Sequence, residues 1–239
     1  MKGIILAGGT GTRLRPLTSI VNKHLLPVGK YPMIHYAMMQ MVEAGIEQVL
    51  LIIGKQSAGL YADYIGSGQS WGLQVRFGIQ EEAGGIAQAL GLAEAFVHPG
   101  DKLMVLLGDN LFQDTLREAV QAFAISGQGA HVFLKQVEDP CRYGVAELAA
   151  GRITRIVEKP EQPPSGYAVT GAYLYDSTVF DIIRTLQPSE RGELEITDVN
   201  NAYASQGLLA YSVVEGWWID AGTHRSLLEA GIRLLGEES

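Results

Sequence analysis

The sequence predicts an α/β protein built on a mixed, mainly parallel sheet flanked by helices, with a smaller antiparallel lobe attached. Three observations carry that expectation. Short apolar runs alternate with segments of helical period through the first half, as in a parallel sheet covered on both faces. The first of these runs, residues 3–7, leads straight into a glycine-rich loop. From Ala130 onward, strand-like runs follow one another with only turn residues between them.

In chain order, residues 3–7 read as a buried strand, and Gly8, Gly9 and Gly11 open the backbone where the chain leaves it. Pro32 precedes a helix over 33–44 that Gly45 stops. A strand over 48–53 and a helix over 57–65 follow, the latter ended by Gly66-Ser67-Gly68. Residues 73–79 alternate as a third strand and end on Gln80, and 86–96 are Ala- and Leu-rich enough for one helix. Residues 102–107 form another buried strand, running into Gly108-Asp109-Asn110. Thr115 and Glu118 have the spacing of a capping box that starts a helix reaching residue 125. Strands are expected over 130–137, 144–148, 153–157 and 168–175, then helices over 178–186 and about 195–206. A strand over 208–214 and a helix from Thr223 complete the chain, and no repeat or low-complexity linker divides it. One domain over residues 1–239 is the expectation.

With 239 residues, 47% apolar and 18% charged, the chain can bury a substantial core. A net charge of -8 argues against a general nucleic-acid surface, although cations can still gather around an anionic small molecule. Cys141 is the single cysteine, which excludes an intrachain disulfide and fits a reducing compartment. The apolar run before Gly8 is too short for a signal peptide, and no run approaches the ~20 residues of a membrane span. A soluble, cytoplasmic protein is expected, without nucleic-acid or membrane partners.

A strand followed by a glycine loop exposes backbone N–H groups to phosphate oxygens. Arg13 within this loop and Lys23 soon after add the charge that a triphosphate requires. Two common phosphate motifs do not fit. No Gly-Lys-Ser/Thr closes a Walker A loop, and Leu14 stands where a dinucleotide fingerprint needs its third glycine. In parallel sheets, ligands bind beyond the carboxyl ends of the strands, where the glycine loop, Gln80 and Asp109 all fall. Asp109 is either a helix N-cap or an oxygen ligand for Mg²⁺, and Asp220, before the last helix, has the same two readings. Glu158 and Lys159 are either a surface pair at a turn, facing opposite sides if the strand continues, or contacts for sugar hydroxyls and phosphate. Arg191 is a further cation for phosphate or part of an exposed helix start, and Tyr143-Gly144 allows close approach of a ligand or only a bend. His24, His35 and His224 lack zinc-like spacing and read as structural, and no nucleophile triad is present.

The stretch Gly8-Gly9-Thr10-Gly11-Thr12-Arg13-Leu14-Arg15-Pro16, with Lys23, resembles the signature of sugar-1-phosphate nucleotidylyltransferases, and most closely that of glucose-1-phosphate thymidylyltransferases. The resemblance extends through Asn22-Lys23-His24-Leu25-Leu26-Pro27, Gly85-Ile86-Ala87-Gln88-Ala89 and Leu107-Gly108-Asp109-Asn110. It continues in Asp139-Pro140-Cys141-Arg142-Tyr143-Gly144-Val145, Glu158-Lys159-Pro160, Tyr167-Ala168-Val169-Thr170-Gly171, Arg191 to Asp198, and Asp220-Ala221-Gly222-Thr223-His224. It implies a Rossmann-like, GT-A-like nucleotidyltransferase fold, with a nucleotide-binding part over about 1–128 and a sugar-binding part over about 129–239. It also implies the reaction of glucose 1-phosphate with dTTP to give dTDP-glucose and pyrophosphate, with Mg²⁺ as cofactor and a dimer or tetramer of identical chains. Leu6, Gly8, Gly9, Gly11, Thr12, Arg13, Lys23, Gln80, Gly85 and Asp109 would then bind the nucleotide. Asn110, Tyr143, Gly144, Glu158, Lys159, Val169, Tyr173 and Arg191 would surround the sugar phosphate, while Asp109 and Asp220 would hold the metal. Arg13, Lys23, Asp109 and Lys159 would carry catalysis. Longer members carry a C-terminal helical extension, whereas this chain ends soon after the helix from Thr223, and Cys141 replaces a common acidic residue. A uridylyltransferase or dual-pyrimidine enzyme is the alternative within the class, and a non-catalytic nucleotide-binding subunit the alternative outside it. An NAD-dependent dehydrogenase is excluded by the missing third glycine and acidic partner.

Overall fold

The computed structural model describes residues 1–237, so the expected domain end at Ser239 lies outside it. The elements are β1 (Lys2–Ala7), β2 (Pro27–Val28), β3 (Tyr31–Pro32), α1 (Met33–Glu43), β4 (Gln48–Gly54), α2 (Ala58–Ile65), β5 (Gln74–Gln80), α3 (Ile86–Gly91), β6 (Lys102–Leu107), β7 (Asn110–Phe112) and α4 (Arg117–Ile125). They continue with β8 (Ala130–Gln136), β9 (Gly144–Ala149), β10 (Arg152–Glu158), β11 (Tyr167–Asp176), α5 (Val179–Thr185), α6 (Ile196–Ser205), β12 (Leu209–Val213), β13 (Trp218–Asp220) and α7 (His224–Glu237).

The apolar run that opens the chain sits between two layers because successive strand residues face opposite sides. Ile4 and Leu6 join a core containing Ala87, Leu90, Val179, Phe180, Ile196 and Tyr203, from α3, α5 and α6. Ile5 and Ala7 face Ile34, Met38, Met41, Tyr61 and Phe123, from α1, α2 and α4. The sheet runs β10-β9-β11-β6-β1-β4-β5, with β8 beside β11 and β12 beside β8. Strands β6, β1, β4 and β5 are parallel, as the alternation of the first half implies. Strand β11 is antiparallel to β6, β8 and β9, which joins the antiparallel lobe to the parallel sheet.

Three details differ from the sequence expectation. The helix over 86–96 is interrupted: α3 stops at Gly91, and a 3₁₀ turn covers Glu94–Phe96. Gly91, the last residue of α3, lowers helix propensity where the helix stops, and it faces Ile183 of α5. The capping box does not form. Thr115 Oγ1 accepts from Arg117 N at 3.3 Å as a local turn, and the helix starts two residues later with Leu116 at its N-cap. Strand β12 is parallel to β8, because the chain returns through the α5–α6 crossover rather than a hairpin.

Sequence periodicity also misses the pairing of β7 with β13, each only three residues long. Their register sets Asp220 opposite Asn110. Asp114 Oδ2 accepts from Gly216 N at 2.6 Å and Gln113 Oε1 from Trp217 N at 3.0 Å, fixing the entry to β13. Lys135 Nζ donates to the carbonyls of Val214, Glu215 and Gly216 at 3.2, 2.9 and 2.7 Å, closing the same bend. Asn110 then ties three strands. Its Oδ1 accepts from Gly171 N of β11 at 2.8 Å and from Trp218 Nε1 of β13 at 2.7 Å. Among the described residues no helix is long and apolar enough to cross a membrane.

A Cβ on residue 171 would lie 2.4–2.6 Å from the Asn110 amide. Gly171→Ala should therefore lower stability by about 1–3 kcal/mol, read as a fall in the urea midpoint with unchanged m-value. Burial lowers the pKa of His131 on β8 to about 4, and its Nε2 has no partner among the described residues. The unfolded chain protonates this group near 6.5, so native stability falls as pH drops from 6.5 towards 4, by up to about 1.4 kcal/mol per unit. The thermal midpoint should drop across that window, and His131→Gln should flatten the drop.

Candidate active site

The site begins where β1 ends. Gly11 takes φ +64°, and a Cβ on it would lie 2.8 Å from Lys23 Cβ and 2.9 Å from Thr18 Cγ2. Glycine at this position lets Lys23 fold beneath the loop. Thr18 Oγ1 donates to Gly11 O at 2.8 Å and Asn22 Nδ2 to Gly9 O at 3.2 Å, tying the loop to the segment that carries Lys23. Arg13 lies on the following 3₁₀ turn, and a Cβ on Gly222 would be 2.8 Å from both its Nη2 and Asp220 Oδ1.

Gln80 ends β5, the edge strand, and its side chain crosses above β4 to the glycine loop. Gly54 is its register partner on β4, and a Cβ on Gly8 would lie 2.0 Å from Gln80 Oε1. Gln80 Nε2 donates to Gln88 Oε1 at 2.7 Å. Gly85, at φ +101°, leaves room for Leu194 O only 2.4 Å from where its Cβ would be. Leu194 N donates to Gly84 O at 2.8 Å and Ala87 N to Leu194 O at 3.2 Å, so the Gly85 loop is bridged to the segment before α6.

At the end of β6, Asp109 Oδ2 forms a direct ion pair with Lys23 Nζ, and Asn110 Nδ2 donates to Asp109 Oδ1 at 3.1 Å. Burial pushes the Asp109 carboxyl up, but the Lys23 ammonium and these hydrogen bonds hold it well below the usual carboxylate range. Asp109 is thus no helix cap: it sits in the turn into β7. Asp220, which ends β13 rather than starting a helix, is shifted upward by burial and by the neighbouring Asp109 charge. Burial and the Lys23 charge lower His24 to about 3. His24 is therefore neutral, and its Nδ1 donates to Asn22 Oδ1 at 2.8 Å.

The opposite wall comes from β9, β10, β11 and the segment before α6. β10 ends at Glu158, and Lys159 takes φ +43°, so the pair does not alternate across a strand. Instead Lys159 Nζ lies 3.5 Å from Glu158 Oε1 on the same wall. Glu158 Oε2 accepts from Thr197 Oγ1 at 2.6 Å. Arg191 Nη2 donates to both Glu195 oxygens at 2.9 and 2.8 Å and lies 3.5 Å from Glu158 and Glu193. It belongs to the cavity wall rather than to a helix start, since α6 begins at Ile196.

These walls enclose a cavity of about 660 Å³. Leu6, Gly8, Gly9, Thr12, Arg13, Lys23, Gln80, Gly85, Asp109, Asn110, Tyr143, Gly144, Glu158, Lys159, Val169, Tyr173, Arg191 and Asp220 all line it. Gly11 does not: it shapes the loop from behind. Sequence reasoning missed Arg142, Thr170, Thr197, Asn200 and Trp218, which line the cavity too. Thr170 Oγ1 and Asn200 Nδ2 are buried without partners among the described residues. Thr170 and Thr197 lie inside segments the family resemblance covered, but Asn200 and Trp218 gave no local signal. Among the described residues no three His, Cys, Asp or Glu side chains cluster as a metal site; Asp109 and Asp220 both line the cavity, and the charge of the first acts on the second.

Residues 2–236 match the family model described as nucleotidyl transferase. The glucose-1-phosphate thymidylyltransferase of Actinoplanes sp. is 45% identical over 234 residues, covering 96% of this chain and 77% of that protein. Its counterpart in Xanthomonas campestris is 46% identical over 237 residues, covering 96% and 79%. A Bacillus anthracis protein assigned as a glucose-1-phosphate thymidylyltransferase, crystallised with sucrose, superposes with TM-score 0.94 at 52% identity, covering 98% of this chain and 95% of that one. A UDP-glucose pyrophosphorylase complexed with UDP-glucose superposes with TM-score 0.86 at 25% identity, covering 99% and 98%. The chain belongs to the nucleotidyl transferase family, within its glucose-1-phosphate thymidylyltransferase group.

Proposed function

We propose that the protein transfers a thymidylyl group from dTTP to glucose 1-phosphate, releasing pyrophosphate. The observation that carries this reading is one cavity lined by three sets of groups: an amide with a glycine loop, the cluster of Glu158, Lys159 and Arg191, and the charged set of Arg13, Lys23, Asp109 and Asp220. The identities of 45% and 46% to thymidylyltransferases, against 25% to the UDP-glucose pyrophosphorylase, favour dTTP over UTP. Residues to about 128 supply the nucleotide side and the remainder most of the sugar side, with the Gly84–Leu194 bridge joining them.

The chemical problem is bringing a sugar phosphate dianion onto a triphosphate of about four negative charges. The attacking phosphate oxygen is already ionised at neutral pH, so no general base is needed; His24, lowered to about 3 by burial and the Lys23 charge, is too weakly basic to act as one. The oxygen attacks the α-phosphorus in line, forming the new P–O bond as the bond to pyrophosphate breaks and its electrons leave with that group. Positioning and charge neutralisation do the catalysis. Lys159 and Arg191 hold the sugar phosphate, with Glu158 and Tyr143 beside the sugar and Gly144, Val169 and Tyr173 forming its wall. Arg13 and Lys23 neutralise the triphosphate, and Gln80 and Gly85 meet the base.

Two cavity carboxylates, of which Asp109 disfavours the ionisation of Asp220, fit a divalent cation that takes hard oxygen donors and completes its shell from phosphates and water. Asp109 and Asp220 would hold Mg²⁺, whose charge would neutralise the phosphate oxygens. Lys23, paired with Asp109, would stand beside the same phosphates as a second cation.

Pyrophosphate release with glucose 1-phosphate and Mg²⁺, measured side by side for dTTP, UTP, CTP, GTP and ATP, should be fastest with dTTP. Comparable rates with UTP would make this a relaxed pyrimidine enzyme, and no release with any would leave nucleotide binding alone. Chelation with EDTA should abolish release and added Mg²⁺ restore it. Lys23→Ala and Asp109→Asn should each lower turnover by ~10²-fold or more. Breaking a buried pair costs about 3–5 kcal/mol, so both are assayed below their measured unfolding midpoints.

A further inference from the structure

We propose that Gln88 is a positioning residue for nucleotide selection: it fixes which side of the Gln80 amide faces the base. The inference rests on the dTTP reading above and concerns the end of the cavity where Gln80 meets the glycine loop. The Gln80 side chain is buried, with 7% of the residue exposed, and lines the cavity, whereas Gln88 is absent from the cavity wall among the described residues. Gln80 Nε2 donates to Gln88 Oε1 at 2.7 Å. With its nitrogen committed to α3, the amide turns its oxygen to the other side, where Oε1 lies 2.0 Å from the place a Gly8 Cβ would take. Gly8 itself lines the cavity, so the acceptor oxygen, not the donor nitrogen, is the edge offered there.

The chemistry of the bases makes that choice matter. An amide oxygen accepts from the N3–H of thymine or uracil. The corresponding ring nitrogen of cytosine is an acceptor, so it faces the oxygen lone pair to lone pair. An amide free to rotate by half a turn would offer its NH₂ instead and accept cytosine. Gln88 restrains that turn: half a rotation of the Gln80 amide against the Gln88 oxygen sets oxygen against oxygen and loses the 2.7 Å hydrogen bond. A carboxylate at position 88 cannot reverse, because it only accepts, and so it holds Gln80 with the oxygen outward. Gly84, whose Cβ would lie 3.0 Å from Gln88 Cγ, packs the Gln88 stem in place.

The test is the ratio of kcat/KM for dTTP to that for CTP, measured by pyrophosphate release at saturating glucose 1-phosphate. Gln88→Leu should lower the ratio by ~10-fold or more, while Gln88→Glu should keep it at or above the wild-type value, because a site built to pair with a polar edge discriminates through that pairing. A purely structural role for Gln88 would lower both rates together and leave the ratio unchanged. Gln88→Met, of similar length and without an amide, makes the same test where Gln88→Leu does not fold. An unchanged ratio in a folded Gln88→Leu or Gln88→Met variant of a dTTP-selective enzyme would overturn the inference alone. A wild-type protein that uses neither dTTP nor UTP would overturn the functional reading, and this inference with it.

Discussion

The ion pair between Lys23 and Asp109 is the contact on which the site depends. Its side chains are 15% and 10% exposed, so each charge has lost most of its water and is held by the other. A buried pair of this kind adds little net stability, yet losing either member is costly, which makes it a strong constraint on geometry. It fastens the segment carrying Lys23 to the end of β6, and the glycine loop follows because Asn22 and Thr18 tie that segment to Gly9 and Gly11. The same pair leaves Asp220 as the carboxylate whose ionisation is disfavoured, by burial and by the Asp109 charge.

Close backbone approach then brings the remaining groups to this centre. Gly8 admits the amide of Gln80, Gly85 admits Leu194 O, Gly171 admits Asn110, and Gly222 admits Arg13 and Asp220. Each is a place where a Cβ would collide with a polar group of the site, so these glycines serve space more than turn formation. Asn110 illustrates the consequence. It lines the cavity, but its oxygen is engaged by Gly171 and Trp218 and its nitrogen by Asp109, which makes it a brace for the carboxylate as much as part of the cavity wall.

The parallel half was legible because β1, β4 and β6 are buried on both faces and therefore appear as unbroken apolar runs. The loop cations were legible because Arg13 and Lys23 follow a buried strand directly, where a packing turn has no use for charge. The break after Gly91 was not, since helical period runs across it and one glycine is tolerated within a helix. The same limit hid the β7–β13 pair, in which three-residue strands are held by a partner more than 100 positions away.

The sequence by itself determined the alternation of strand and helix, the position of the glycine loop, and the inventory of cations, acids and amide that a nucleotidyl transfer site needs. These properties are local: apolar period, backbone freedom and side-chain charge are carried by neighbouring residues. Tertiary structure alone decided that Glu158 and Lys159 share one wall, that Arg191 is held by Glu195, and that Asp220 stands across from Asn110. It also decided that Gln88 holds the amide of Gln80. Those relations depend on a positive φ, a β-ladder register and side-chain rotations, which are settled only when the segments around them pack and exclude water.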